Sequence, residues 1–226
     1  MTVLFRNAAW LLGGIAVLAA CGFARAKVPP PAFDPPETVA SETAILSGGC
    51  FWGIQAVYEH VKGVLHVYAG YTGGSADAAN YETVSTGTTG HAESVQIVFD
   101  PRAVSYGRIL QIYFAVATDP TEMNFQGPDT GTQYRGEIWY ASPAQQHVAT
   151  AYIAQLTAAH SFAAPIVTRV DPAMPFYQAE AYHQDFLENH PDYPYIVIND
   201  IPKLDALETE LPAEYRAEPV RALPQS

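Results

Sequence analysis

The amino-acid sequence predicts an α+β protein, a two-layer sandwich in which helices pack on a mainly antiparallel sheet. Apolar segments and helical stripes follow one another in the order strand, helix, strand, strand, helix, strand, helix, strand. The 226 residues are 49% hydrophobic, which is enough for one substantial core. No internal repeat and no boundary of a second domain is visible. We therefore expect a single catalytic domain over residues 41–226, with a C-terminal tail that wraps the surface.

The strands are predicted from short apolar runs that stop at turn residues. The second run ends at Thr72-Gly73-Gly74, and the third is closed by Asp100-Pro101. Residues 75–90 and 119–133 are polar and contain several glycines, so we predict long loops there, and such loops often carry function. The predicted strands are Thr43–Ser47, Val64–Tyr71, Ser94–Phe99, Gly136–Tyr140 and Ile166–Val170.

The helices are predicted from apolar residues at i, i+3, i+4 and i+7 and from capping residues. Ser105 can cap the second helix, and Ser142-Pro143-Ala144-Gln145 is a capping box with proline at the first helical position. The predicted helices run from Cys50 to Lys62, from Ser105 to Ala117 and from Ser142 to Ala159, with shorter ones inside Phe176–Asn189 and near Leu204–Leu211.

The N-terminal residues are predicted to direct export. Residues 1–26 have one early basic residue, an apolar run and then small residues, as in a secretory signal. Leu18-Ala19-Ala20-Cys21 resembles a bacterial lipoprotein box, whereas Ala24-Arg25-Ala26 resembles an ordinary signal-peptidase site. We favour the first cleavage site because leucine, two alanines and cysteine in this order occur by chance less often than Ala-x-Ala. We therefore expect a periplasmic protein with a lipid anchor through Cys21, followed by an extended proline-rich linker over residues 27–40.

The composition excludes several classes of protein. A net charge of −12 without any cluster of basic residues argues against a nucleic-acid partner. His91-Ala92-Glu93 is not followed by the Pro-Cys-x-x-Cys of zinc deaminases, and no H-E-x-x-H spacing occurs. We expect a monomer that uses neither metal nor cofactor.

Cys50 is the residue around which we expect the site to form. The chain has two cysteines, and Cys21 is either acylated or removed, so Cys50 remains as a lone thiol. Gly48 and Gly49 permit a tight turn from strand to helix, and the start of the helix favours a thiolate. A buried, inert cysteine is the alternative. The flanking glycines and the aromatic pair Phe51-Trp52, which can line an apolar pocket, favour a reactive thiol instead.

Four further residues are candidates for the same site. Glu93 opens a predicted strand directly after a glycine-rich loop, where partial burial would raise its pKa and keep it protonated as a proton donor. Asp129 and Tyr134 offer a carboxylate and a phenol from the second long loop, and Tyr81 offers a phenol from the first. For each of these residues the alternative is an ordinary surface position without a role in a site. Taken one at a time, these signals are weak.

Five motifs in order resemble the peptide methionine sulfoxide reductase A family, and the resemblance runs from about Ile45 to Ile198. The motifs are Gly-Cys-Phe-Trp-Gly at 49–53, Ala-Gly-Tyr-Thr-Gly-Gly at 69–74, Gly-His-Ala-Glu at 90–93, Gly-Thr-Gln-Tyr-Arg at 131–135, and Phe-Tyr-x-Ala-Glu-x-Tyr-His-Gln at 176–184. The resemblance implies a ferredoxin-like core and reduction of methionine-S-sulfoxide, protein-bound or free, through a sulfenic acid on the cysteine. It assigns roles to the candidates: Cys50 as nucleophile, Glu93 as proton donor, Tyr81 and Tyr134 as donors to the sulfoxide oxygen, Asp129 as organiser of the polar side, and Phe51 with Trp52 as the methyl pocket.

The chain departs from the family at its C-terminal end. Many members carry further cysteines there that resolve the sulfenic acid as a disulfide, but residues 186–226 contain none. We therefore expect an external thiol, from a thioredoxin-like protein or another reductant, to restore Cys50 directly. A non-catalytic binder of oxidised methionine segments is the main alternative, and a cysteine-dependent acyl-transfer enzyme is a weaker one.

Overall fold

The computed structural model describes residues 28–223, which form eight strands and six α-helices. The strands are β1 (Glu42–Ser47), β2 (Val64–Thr72), β3 (Ala92–Phe99), β4 (Phe125–Gln126), β5 (Asp129–Thr130), β6 (Glu137–Tyr140), β7 (Arg169–Pro172) and β8 (Tyr177–Gln178). The α-helices are α1 (Phe51–Glu59), α2 (Tyr81–Val84), α3 (Tyr106–Ile112), α4 (Pro143–Ala158), α5 (Phe186–Asn189) and α6 (Ile201–Glu210). Short 3₁₀ turns lie at Ala76–Ala78, Thr132–Tyr134 and Ala181–His183, and π-helical turns at Tyr113–Ala117 and Ile196–Asp200.

Six strands form the main sheet, in the order β7-β6-β1-β3-β2-β8, and β4 and β5 form a separate hairpin. Every neighbouring pair in the main sheet is antiparallel except β6 with β7, which is parallel. The predicted α+β class with a mainly antiparallel sheet is therefore confirmed.

One face of the central strands carries the core. Leu46, Val67 and Ile97 are fully buried, and they belong to one apolar cluster with Val57 of α1 and Ile109 of α3. Burying such side chains contributes on the order of 1.5–3 kcal/mol each. Because α1 packs on β2 and β3, the turn between β1 and α1 has a defined position beside the central strands.

The helix caps follow the sequence. The Ser105 hydroxyl accepts from the N–H of Arg108 at the start of α3, and that of Ser142 accepts from Gln145 at the start of α4. The first helix is shorter than predicted and ends at Glu59. The residues after it pair instead with the C-terminal tail, where the His60 carbonyl accepts from Arg216 N–H at 2.8 Å.

Two local predictions are wrong. The loop predicted over residues 75–90 contains α2, whose first turn is capped by Asn80 accepting from the N–H of Thr83. The strand predicted over Ile166–Val170 begins only at Arg169. The N–H of Val167 donates instead to the carbonyl of Pro120, at 2.8 Å, and this draws the chain towards the loop before β4.

The first described residues are docked on the helical layer, although we predicted a linker for residues 27–40. Val28 is 3% exposed and belongs to the core. The carbonyl of Pro29 accepts from the Tyr152 hydroxyl at 2.6 Å. The carboxylate of Asp34 accepts from the Gly107 N–H at 3.0 Å and from the hydroxyl of Ser105. Residues 28–34 therefore contribute to the fold.

Replacing Asp34 with alanine is expected to lower the free energy of unfolding by about 1–2 kcal/mol, because the first turn of α3 loses its carboxylate acceptor. Urea denaturation measures the change. Asp77→Ala, at an exposed aspartate, is the matched control and should leave the midpoint nearly unchanged. Equal losses in both variants would contradict a specific contribution from the docked segment.

The C-terminal tail lies along the far end of α1. The N–H of Val220 donates to the carbonyl of Glu59, and the N–H groups of Ala222 and Leu223 donate to the carboxylate of Asp185 at 2.7 and 3.1 Å. Asp185 immediately precedes α5, so the tail fixes where that short helix sits.

Within residues 28–223, no helix is long and apolar enough to cross a membrane. The predicted signal region, with Cys21, lies outside the described residues.

Candidate active site

The turn between β1 and α1 presents Cys50 at the C-terminal end of β1, a central strand of the sheet. Gly49 has φ +103°, which favours glycine, and a Cβ there would lie 2.8 Å from the Cβ of Gln126. A Cβ on Gly48 would lie 2.4 Å from a methyl carbon of Thr118. The two glycines therefore allow the 118–126 segment to close over the turn, and Cys50 caps α1.

A cavity of about 200 Å³ opens beside Cys50. All the residues that the sequence singled out line it together: Cys50, Phe51, Trp52, Tyr81, Glu93, Asp129 and Tyr134. They come from the start of α1, from α2, β3 and β5, and from the 3₁₀ turn before β6. The fold therefore brings together residues that are distant in sequence at one end of the central strands. Tyr193 and Tyr195 complete the lining, and sequence reasoning missed both.

Glu93 lies on the polar side of this cavity. Its side chain is almost fully buried, and its Oε2 accepts from the N–H of Phe51 at 3.0 Å. Burial raises the pKa of Glu93 to about 8; the Phe51 N–H opposes this rise, and the charge of Asp129 adds to it. The carboxyl group therefore holds a proton at neutral pH, as the sequence predicted.

The acidity of Cys50 differs from the prediction. Burial raises the pKa of its thiol well above the usual range, and the carboxylates of Glu93 and Asp200 raise it further. The backbone N–H of Trp52 and the ammonium group of Lys203 lower the pKa. The start of α1 thus acts in the predicted direction, but desolvation outweighs it.

The phenols are held as hydrogen-bond donors. Burial raises the pKa of Tyr81 and Tyr134 above the ordinary value for a phenol, and the negative charge of Glu93 adds to both shifts. The hydroxyl of Tyr195 donates to the carboxylate of Asp129. This bond fixes Asp129 at the rim and leaves the other two phenols for a ligand.

The apolar side of the cavity is an aromatic cup built around Trp52. Phe186 stacks on the indole, with ring centroids 3.8 Å apart, and Tyr195 meets it edge-on at 5.8 Å. The Trp52 Nε1–H donates to Nδ1 of His183 at 3.1 Å, and the imidazole also packs against Phe51 at 5.0 Å. His183 therefore fixes the orientation of the indole plane.

The residues that were missed come from the segment after β8. His183 and Phe186 lie in or beside the fifth motif, and Tyr193 and Tyr195 follow it in a stretch interrupted by prolines at 191 and 194. His183 therefore had a signal in the motif itself, whereas the only sequence signal for Tyr193 and Tyr195 is this concentration of aromatic residues without helical or strand periodicity. Within residues 28–223, no group of three or more His, Cys, Asp or Glu side chains is arranged to hold a metal ion.

Comparison with known proteins agrees with this site. The family model described as peptide methionine sulfoxide reductase matches residues 42–215. Peptide methionine sulfoxide reductase MsrA 2 of Mesorhizobium japonicum is 56% identical over 186 residues, covering 82% of this chain and 95% of that protein. MsrA 2 of Synechocystis is 49% identical over 181 residues, covering 78% and 85%.

Two solved structures resemble the fold. The reduced form of Mxr1 from Saccharomyces cerevisiae has a TM-score of 0.61 at 27% identity, covering 72% of this chain and 92% of that one. Methionine sulfoxide reductase A of Corynebacterium diphtheriae has a TM-score of 0.58 at 32% identity, covering 70% and 78%. The chain therefore belongs to the peptide methionine sulfoxide reductase A family.

Proposed function

We propose that this protein reduces methionine-S-sulfoxide, in oxidised proteins and as the free amino acid, to methionine. The observation that carries the proposal is that Cys50 and Glu93 open onto one cavity, with an aromatic cup beside them. A nucleophilic sulfur, a carboxylic acid that still holds its proton and an apolar wall that can receive the methyl group are the three elements on which sulfoxide reduction depends.

The reaction follows from this arrangement. The sulfoxide oxygen accepts hydrogen bonds from Tyr81 and Tyr134 and takes the proton of Glu93, which makes the sulfur electrophilic. Sγ of Cys50 attacks that sulfur and forms an S–S bond, while the S–O bond breaks and the oxygen leaves as water with the proton of Glu93 and the thiol proton. A water molecule then attacks Sγ, the S–S bond breaks, and methionine leaves with the bonding electron pair. Cys50 becomes a sulfenic acid and a proton of the attacking water returns to Glu93, so atoms and electrons balance.

The pocket also supports a choice of epimer. A sulfoxide sulfur is pyramidal, and three of its directions are taken: the methyl by Phe51 and Trp52, the oxygen by Glu93 and the phenols, and the line of attack by Cys50. Exchanging the epimers would place the remaining chain of methionine inside the cup. The arrangement therefore supports selection of one epimer, and the resemblance to the family is our ground for proposing the S epimer.

Recycling proceeds without an internal partner. Cys50 is the only cysteine in residues 28–223, so an external thiol attacks the sulfenic acid, water leaves, and a mixed disulfide forms. A second thiol then releases Cys50 as a disulfide of the reductant is formed. A thioredoxin-like dithiol or a small thiol supplies both groups.

Turnover with dithiothreitol tests this cycle. The protein is expected to convert many equivalents of a methionine-S-sulfoxide peptide, since each turnover regenerates Cys50. Product is counted by chromatography against enzyme concentration. A plateau at or below one equivalent would identify the alternative, a binder of oxidised methionine segments. A stable disulfide between Cys21 and Cys50 after reaction would contradict the one-cysteine cycle.

The remaining proposals concern fold type and location. We propose a ferredoxin-like core, supported by the antiparallel run β6-β1-β3-β2 with α1 and α3 between its strands in the chain.

We also propose export by residues 1–26, lipid attachment at Cys21, a periplasmic location and a monomeric state. The sequence pattern of the first 26 residues supports the export, and mass spectrometry of the mature N-terminus decides between the two cleavage sites.

A further inference from the structure

An ion pair between a buried carboxylate and a partly exposed lysine lies beside the helix that begins after Cys50. Asp200 ends the π-helical turn before α6 and is fully buried, and its Oδ1 accepts from Nζ of Lys203 at 3.1 Å. The other oxygen, Oδ2, is also buried and has no hydrogen-bond partner. Such a pair adds little stability, because the cost of removing the Asp200 carboxylate from water offsets its attraction to Lys203.

Gly53 shows where the pair lies. A Cβ at this position would be 2.1 Å from Oδ1 of Asp200 and 3.0 Å from Nζ of Lys203. Gly53 lies in the first turn of α1 and does not have a positive φ, so its backbone does not require glycine. Glycine in a helix is less stable than alanine, so another requirement favours it here. The glycine therefore leaves room for the two charges, one helical turn from Cys50.

The other groups around Cys50 are neutral or acidic. Carboxyl groups and phenols reach it from β3, β5, α2, the 3₁₀ turn before β6, the segment after α5 and the π-helical turn before α6: Glu93, Asp129, Tyr81, Tyr134, Tyr195 and Asp200. Among the described side chains that act on Cys50, Lys203 supplies the positive charge.

We propose that Lys203, held against Gly53 by Asp200, is a positioning residue that stabilises the negative charge on Sγ of Cys50 whenever this sulfur is a thiolate. The site needs this charge twice, and both occasions rest on the proposed function: when Sγ attacks the sulfoxide sulfur, and when Cys50 leaves the mixed disulfide. When the second external thiolate attacks the mixed disulfide at the reductant's sulfur, that S–S bond breaks. A new disulfide of the reductant forms, and Cys50 leaves as the thiolate. A better stabilised thiolate leaves faster.

The neighbouring carboxylate determines how the test is designed. Removing Lys203 alone would leave Asp200 buried and unpaired, and its protonation would mask the effect. The informative comparison is therefore between Asp200→Asn and the double variant Asp200→Asn with Lys203→Met, where the lysine is removed beside a neutral amide. Asp200→Asn with Lys203→Arg retains the positive charge, and Asp200→Asn with Lys62→Met removes an exposed lysine near the other end of α1.

The measurement is the rate of alkylation of Cys50 by iodoacetamide as a function of pH, with the adduct on Cys50 identified by peptide mass spectrometry. Asp200→Asn is expected to move the midpoint to lower pH than in the unmodified protein. Adding Lys203→Met should move it back up by about one pH unit, or about tenfold in reactivity below the midpoint. The variants that combine Asp200→Asn with Lys203→Arg or with Lys62→Met should keep the midpoint of Asp200→Asn.

Equal midpoints for Asp200→Asn and its Lys203→Met derivative would overturn the proposal, as would a similar rise in the Lys62→Met control. Damage to packing does not predict opposite shifts from the two substitutions. Alkylation requires no sulfoxide, so this result is independent of whether the protein is a reductase. If the midpoints shift as expected and turnover is absent, the proposed function fails while the electrostatic role of Lys203 holds.

Discussion

Replacing Cys50 with serine is expected to abolish sulfoxide reduction, with turnover falling by at least about three orders of magnitude. A hydroxyl group cannot form the S–S bond that leads to a sulfenic acid, and no second described cysteine is present to replace it. Turnover with dithiothreitol and a sulfoxide peptide measures the loss.

The same variant should fold normally and still bind its ligand. Serine is slightly smaller than cysteine, and Cys50 makes no side-chain capping bond to α1. The far-UV circular dichroism spectrum and the thermal midpoint are the controls for folding. Quenching of tryptophan fluorescence by the sulfoxide peptide reports binding, because Trp52 lines the cavity. Activity near that of the unmodified protein would end the assignment of Cys50 as nucleophile.

Replacing Glu93 with glutamine is expected to slow the reductase step by about a hundredfold or more, because the amide cannot deliver a proton to the sulfoxide oxygen. The pH profile adds a sharper criterion. Burial raises the pKa of Glu93 to about 8, so its acid form disappears as the pH rises through that value. The single-turnover rate should therefore carry a falling limb near pH 8 that the glutamine variant lacks.

Stability gives an independent check on Glu93. Its folded pKa lies above that of an unfolded glutamate, so the folded state binds more protons between about pH 4.3 and pH 8, and stability falls across this window as pH rises. Glutamine removes this loss, so the variant should melt at a higher temperature than the unmodified protein at pH 9. Glu82→Gln, at an exposed glutamate of α2, is the control. If both variants behave alike in rate and melting, Glu93 is not the buried acid.

Local sequence signals predicted most of the framework. Short apolar runs that stop at turn residues predicted the central strands, and the serines at 105 and 142 marked two helix starts, because these signals act over a few residues. The sequence also singled out seven residues that line the cavity: Cys50, Phe51, Trp52 and Glu93 at the starts of predicted elements, and Tyr81, Asp129 and Tyr134 in or beside the two long polar loops. Their meeting in one cavity follows from strand order, which brings the start of β3 next to the end of β1.

The missed features depend on contacts between distant segments. Tyr195 enters the site through its bond to Asp129, 66 residues away, and His183 enters through the indole of Trp52, 131 residues away. No local pattern encodes either contact. The acidity of Cys50 was misjudged for a similar reason: the position of a residue in a helix is visible in the sequence, but its desolvation by packed neighbours is not.

The C-terminal tail has a consequence for the aromatic cup around Trp52. The N–H groups of Ala222 and Leu223 donate to the carboxylate of Asp185. Phe186, the residue after Asp185, stacks on the ring of Trp52. The last described residues therefore hold the residue that precedes Phe186. We expect that shortening the tail weakens ligand binding without changing any side chain that lines the cavity, so that affinity and bond chemistry depend on different parts of the polypeptide.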